Sequence, residues 1–507
     1  MASTVDAIYE DLIKRVKEVS VLGSCAGVLG WDEQTYMPKG GAAHRAEQHA
    51  LLAGLIHERI VDPAIEALLN RVEDTEFVAE AHSVAAVNVR EIRREYDRMV
   101  KLPRSLVEEL ARVTTLAQQA WREAREKSDF EHFRPHLEKV LELKRQEAAA
   151  LNTGGTAYDT LLDEYEMGET TENLTRVFSV LRDELVELVG AIQDSGRHSD
   201  VSILQREYPV ADQEAFGKAA AEQIGFNFGA GRLDETVHPF CSGLGPGDTR
   251  ITTRYDPHFF SQAFFGILHE AGHGLYAQGL NTEHYGTPMG DAVSLGIHES
   301  QSRMWENFVG RGQAFWDHFF PKAQKAFPDA LRDVSQDDFY RAMNHVELSF
   351  IRVEADEATY NLHILLRFEM EQALIDGDLP AADVPGVWNE TFEKYFGLQV
   401  PDDAQGCLQD IHWSFGGIGY FPTYTLGNLY AAQFFEQARE DLGDLDAQFA
   451  RGEFSPLRDW LTEKIYRQGM RYPPGKLAEM ITGRPLSHVP LVDHLKARFG
   501  PLYGIHA

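Results

Sequence analysis

Two histidines four residues apart, His269 and His273, enclose Glu270 in the run His269-Glu-Ala-Gly-His273. On a helix such residues stack one turn apart, so both imidazoles can reach one metal ion, while Glu270 projects about 100° round, beside the open position. Zinc held there lowers the pKa of a water ligand and Glu270 accepts the proton, which is hydrolase chemistry. A chance HExxH is expected in roughly one in twenty chains of this length and composition, so its placement and a third ligand must carry the rest. The metzincin continuation fails, because Tyr276 and Gly279 stand where Gly and His are required. A glutamate from a later helix is the other common solution. Gly296-Ile-His-Glu-Ser-Gln301 offers both His298 and Glu299, and spacing alone leaves that choice open.

The elements around the motif are legible from pattern. Asp256-Pro257 supplies an N-cap and a first-turn proline, and Phe260, Phe264, Ile267, Leu268, Ala271 and Leu275 form an apolar stripe, predicting a helix from Pro257 to Gly279. Before it, Val237 to Tyr255 carries the β-branched run Arg250-Ile-Thr-Thr-Arg254 and the turn-rich Gly245-Pro-Gly-Asp248, which predicts a hairpin. An exposed edge of that hairpin, leading straight into the metal helix, would border the groove and pair with an extended peptide. The first third of the chain repeats apolar residues at helical spacing (Val5, Ile8, Leu12, Val16), with surface turns at Asn152-Thr-Gly-Gly155 and Asp194 to Asp200. Further breaks fall at Asp376 to Pro380 and Tyr472 to Gly475.

Composition narrows the partners. The 507 residues hold 48 Lys and Arg against 79 Asp and Glu, a formal charge of −31, which argues against nucleic acid and against anionic membranes. The long uncharged run Trp413 to Phe435 contains glycines and a proline that a bilayer-spanning helix would not carry, and reads as a buried loop followed by a helix. The N-terminus mixes acids and bases with apolar residues and does not read as a secretory signal. Cys25, Cys241 and Cys407 are odd in number and far apart, which excludes a disulfide framework or a four-cysteine zinc site and suits a reducing, cytoplasmic compartment.

Six segments in order resemble the signature set of the M32 metallocarboxypeptidases, the thermostable carboxypeptidase Taq family. They are His238-Pro-Phe240, Asp248-Thr-Arg-Ile-Thr252, His269 to His273, His298-Glu-Ser-Gln301, Ile351-Arg-Val-Glu-Ala-Asp356 and Gly406-Cys-Leu-Gln-Asp-Ile-His-Trp413. Trp31-Asp-Glu-Gln-Thr-Tyr-Met-Pro38, with Arg45 and Gln48, is similar to that family's N-terminal signature. The resemblance therefore covers essentially the whole chain, with no departure at a motif position. It implies a mainly α, saddle-shaped, gluzincin-like fold with a small β-hairpin or sheet beside a central groove. It also implies one domain over 1–507, in which a helical part (1–195) precedes a catalytic part (196–507) carrying the zinc motifs. The expected activity is release of single residues from free peptide C-termini with broad specificity, by a cytoplasmic homodimer holding one zinc per chain, with cobalt able to substitute.

Carried over by residue, the resemblance implies His269, His273 and Glu299 as zinc ligands, with Glu270 as general base and acid, and leaves His298 as a neighbouring group that orients a ligand. A carboxypeptidase must also bind a free carboxylate, which in so acidic a chain calls for a placed guanidinium. Arg352 is the candidate, against the plain alternative of a structural ion pair with Glu354 or Asp356. His238 could hydrogen-bond the substrate or serve structure alone, and Arg250 could neutralise charge or hold its loop. Gln409, Asp410 and His412 shape the groove, and Tyr420 either donates to a tetrahedral oxyanion or is a packed aromatic. The competing readings are a helical zinc oligopeptidase that cuts internally and a non-catalytic helical binding protein with an incidental HExxH.

Overall fold

A computed structural model describes residues 4–505 and is helical nearly throughout. Four helices open the chain: α1 (Thr4–Thr35), α2 (Ala42–Ile60), α3 (Pro63–Val72) and α4 (Val84–Lys101). Helix α3 shows why the sequence folds locally. Asp62 accepts from the Ala64 N–H, Pro63 occupies the first turn, and Ile65, Leu68, Leu69 and Val72 recur on one face. That face closes a small core with Ile8 and Leu12 of α1 and Val89, Ile92 and Tyr96 of α4. The main core is separate and runs from Leu106 to Tyr503, so the helices between residues 104 and 194 pack with the catalytic half. Helix α2 buries none of its residues.

The sheet differs from the expected hairpin. Strands β2 (Cys241–Gly245) and β3 (Asp248–Thr253) form the hairpin, but a further strand, β1 (Gly231–Glu235), pairs parallel to β3 on its other side, giving the order β1-β3-β2. Gly231-Arg-Leu-Asp-Glu235 lacks β-branched residues, which is why pattern reading passed over it. The metal helix also starts later than expected, at Phe260. Asp256 accepts from the His258 N–H and the Pro257 carbonyl accepts from the Tyr208 N–H, so these residues form a tethered turn before the helix.

Three helices meet at the motif. The metal helix (Phe260–Gly279) is crossed by a ligand helix (Leu295–Arg303), which runs on as a π-helix over Met304–Gly310 and packs along a helix spanning Pro422–Leu442. Two glycines permit the approach. A Cβ on Gly272, inside the HExxH run, would overlap the Gln301 carbonyl oxygen, and one on Gly427 would overlap the Glu299 side chain. The ligand helix is fixed at its start by Ser294, whose hydroxyl accepts from the Ile297 N–H, and by the buried Glu166, which accepts from the Gly296 N–H. The run Trp413 to Phe435 is a buried loop followed by a helix, as its composition suggested.

Candidate active site

His269, His273 and Glu299 converge, with one ligand atom from each lying within 4.8 Å of the others. Glu299 Oε2 stands 3.7 Å from His269 Nε2 and 3.4 Å from His273 Nε2. The outer nitrogens are engaged elsewhere: His269 Nδ1 lies 2.8 Å from Glu306 Oε2, and His273 Nδ1 faces the His298 carbonyl at 3.1 Å. Each imidazole thus turns Nε2 inward, the arrangement that orients histidine ligands. His298 packs behind His273, ring centroids 4.6 Å apart, and burial lowers its pKa to about 3, so it stays neutral. Glu299 gives its other oxygen to Arg303 Nε at 2.7 Å.

The charges of this cluster fit a cation. Glu270, Glu299 and Glu306 are three carboxylates facing two guanidinia, Arg303 and Arg311, which leaves one negative charge in surplus. Burial opposes charge on His269, yet Glu299 and Glu306 outweigh it and raise its pKa to about 9. Burial raises the Glu270 carboxyl, whose Oε2 is buried without a hydrogen-bond partner among the described residues.

A second buried cluster carries the opposite surplus. Arg352 is 6% exposed and sets Nε and Nη2 on Asp410 Oδ1, at 3.0 and 2.8 Å, while Arg367 Nε holds Oδ2 at 2.7 Å. Two guanidinia share one carboxylate, leaving one positive charge over. Burial works against ionised Asp410, but the two arginines hold its pKa far below the usual range. The alternative partners of Arg352 fall away: Glu354 is exposed, and Asp356 accepts main-chain N–H groups of Glu347, Ala358 and Thr359. Tyr360 joins the clusters. Its hydroxyl accepts from Arg352 Nη1 at 3.1 Å, and its ring lies under Arg303, 4.4 Å from the guanidinium carbon.

The remaining candidates separate. Gln409 is structural in its bonds, accepting from the Arg352 N–H and donating to the carbonyls of Phe350, Gln405 and Gly406. His412 is buried, its pKa lowered to about 3, with Nε2 3.3 Å from the Tyr424 hydroxyl. Tyr420 packs against Tyr165, His412 and Tyr424, and the charge of Glu299 adds to burial in raising its pKa, so it faces both clusters. Arg250 forks onto Asp248 at 2.8 Å through each nitrogen and lies over Trp31, its guanidinium carbon 4.4 Å from the ring centroid. Arg45, also of the N-terminal signature, binds Asp32 at 2.7 Å, so that signature braces α1 against the sheet. His238 is exposed and makes no side-chain hydrogen bond among the described residues.

Sequence reading missed Glu306, Arg303, Tyr360 and Arg367. Arg303 follows Glu299 by four residues on one helix, a spacing that signals a pair. Glu306 also pairs with Arg303, three residues before it, but its contact with His269 lies 37 residues back and the Arg367 bond to Asp410 spans 43 residues, so neither of those contacts has a local signal.

Comparison with known proteins gives the family of the chain. Residues 11–499 match the family described as Carboxypeptidase Taq (M32) metallopeptidase. The chain is similar to thermostable carboxypeptidase 1 of Thermus thermophilus, 47% identical over 99% of this chain and 100% of that one. It also resembles carboxypeptidase 1 of Bacillus subtilis, 38% identical over 99% of each. In three dimensions it is similar to the crystal structure of the M32 carboxypeptidase from Deinococcus radiodurans R1, with a TM-score of 0.96 and 39% identity, covering 98% of this chain and all of that one. The chain therefore belongs to the M32 family of metallocarboxypeptidases.

Proposed function

We infer that the protein is a zinc metallocarboxypeptidase that releases single residues from free peptide C-termini. The observation that carries this reading is the pairing of two buried clusters of opposite surplus, one suited to a metal cation and the other to a carboxylate, held through the two sides of Tyr360. His269, His273 and Glu299 would hold the ion, two imidazoles and one carboxylate being a donor set for catalytic zinc that leaves a position open. A divalent ion bound there supplies Lewis acidity toward a water and the scissile carbonyl.

The chain's own groups supply the rest. Glu270 takes a proton from the attacking water through Oε2 and passes it to the leaving amine nitrogen as the carbon–nitrogen bond breaks, so one water is consumed per residue released. Tyr420, whose pKa is raised and whose hydroxyl therefore keeps its proton, donates to the oxyanion. Arg352 receives the terminal carboxylate. Asp410, Gln409 and His412 position it, so they act on the groove from behind rather than as its lining. Arg250 holds its loop, and His238, exposed on the segment between β1 and β2, can reach only substrate that extends outside the site. The whole chain acts as one catalytic unit, with 196–507 supplying the motifs and 1–195 the helical part before them.

No described helix is long and apolar enough to cross a membrane. Free thiols at Cys25, Cys241 and Cys407 favour the cytoplasm. Leu51, exposed on a helix none of whose residues is fully buried within the chain, favours a homodimer. Mass spectrometry of a digested peptide tests the function. A ladder of products shortened one residue at a time from a free C-terminus is expected, with the amidated peptide left intact. Internal fragments from both peptides would instead identify an oligopeptidase.

A further inference from the structure

One cavity holds none of the residues of the two charged clusters. It encloses about 630 Å³ between α1, α4, the β2–β3 hairpin and the loop after the metal helix, with Gly23, Ile92, Leu244, Ala277 and Asp291 on its walls. Two features tie it to the reaction centre. Ala277 follows His273 by four residues, so the cavity lies on the same face of the metal helix as His269 and His273, one turn further on, about 6 Å along the axis. Strand β2 runs the same way: the charge of Glu270 reaches Cys241 at its start, and a Cβ on Gly243 would stand 3.3 Å from that of Ala277.

The outer edge of β2 is free, since the sheet order places it last and no other strand pairs with it among the described residues. The Thr252 N–H donates to the Phe240 carbonyl across the hairpin. By the alternation of an antiparallel ladder, Phe240 and Ser242 then bond inward to β3, whereas Cys241 and Gly243 direct N–H and C=O away from it. Gly243 lines the cavity.

We propose that this cavity is the binding site for the part of the peptide substrate upstream of the scissile bond, beginning at the third residue before it. This rests on the carboxypeptidase reading, which places only one residue beyond the scissile bond, at Arg352, and leaves the remainder of the peptide to run the other way. An extended strand advances about 3.3 Å per residue, so the 6 Å from His273 to the cavity is about two residues. Strand addition to Cys241 and Gly243 supplies main-chain affinity, and Ile92 and Leu244 receive apolar side chains from the peptide.

The test fills the cavity from its far wall. Gly23 sits mid-helix in α1, and a Cβ there meets nothing within 4 Å, so Gly23→Trp adds an indole to open space without opposing the helix. Two substrates with the same last two residues separate the sites: an acylated dipeptide that spans only the scissile bond, and a hexapeptide. Gly23→Trp should lower kcat/KM on the hexapeptide by about tenfold or more, the worth of one buried apolar side chain, and leave the acyl-dipeptide unchanged. A hexapeptide carrying a photoreactive group four residues before the scissile bond, bound to Glu270→Gln, should label residues 16–27 of α1 or 91–96 of α4. Equal effects on both substrates, or labelling confined to other segments, overturns the proposal. Failure of the parent to cleave either substrate overturns the carboxypeptidase reading instead.

Discussion

Replacing Arg352 with alanine isolates what makes the site an exopeptidase. The guanidinium spends three of its five N–H groups on Asp410 and Tyr360, leaving two for a carboxylate. Without Arg352, Asp410 keeps Arg367 and remains ionised, so the buried cluster passes from one positive charge in surplus to none. A terminal carboxylate would then be desolvated without a counter-charge. Truncating one partner of such a pair costs about 2 to 5 kcal/mol. At about 1.36 kcal/mol per decade, kcat/KM on a free-acid peptide should fall by roughly thirty- to several-thousandfold. The assay compares one peptide as free acid and as amide. The amide should be a poor substrate of the parent and little changed by Arg352→Ala, and Arg352→Lys should recover only part of the free-acid rate because a lysine lacks the planar fork. Equal slowing on both peptides, with metal content unchanged, would mean that Arg352 serves the fold alone and that the carboxylate is received elsewhere.

Four further expectations concern the metal cluster and its supports. Glu270→Gln should retain metal and lose turnover, since an amide cannot accept the proton; activity within a few fold of the parent would assign the base to another group. In a zinc titration Glu299→Ala should weaken binding far more than His298→Ala, and the reverse order would reassign the third ligand. Glu306→Ala should lower zinc affinity by about ten- to a hundredfold through loss of the bond to His269 Nδ1, whereas a variant with parental affinity would make that contact incidental. Glu166, raised by burial to about 8 from 4.5, keeps its proton in the folded chain while the unfolded chain loses it, so this group's stabilisation falls as pH rises between those values, at about 1.4 kcal/mol per unit. Glu166→Gln should therefore gain in thermal midpoint over the parent from pH 5 to pH 8; a constant difference between them would contradict the assignment.

The metal helix and its two histidines were legible because periodicity and a four-residue spacing are local properties of the chain. The third candidate ligand was not legible from spacing, because the crossing at Gly272 and Gly427 turns Glu299 toward the two histidines and leaves His298 behind His273. Arg352 stood out as a guanidinium in an acidic chain, but its bonding was not legible: Asp410 lies 58 residues along the chain, while Glu354 is exposed and Asp356 accepts main-chain N–H groups. Glu306 was hidden for a further reason, since the helix widens to a π-helix from Met304 and a period of 3.6 no longer reports its direction. Strand β1 escaped because its place is decided by pairing with β3 and not by its own residues.

The proposed activity turns on one metal ion per chain acting with a free C-terminus. The direct measurement is a zinc titration of chelated enzyme, following release of the last residue from a free-acid peptide. Activity should be absent without metal and rise linearly to a plateau at one equivalent per chain, with His269→Ala remaining inactive throughout. Full activity in the chelated enzyme, or a titration of His269→Ala indistinguishable from the parent, would contradict the assignment of this site.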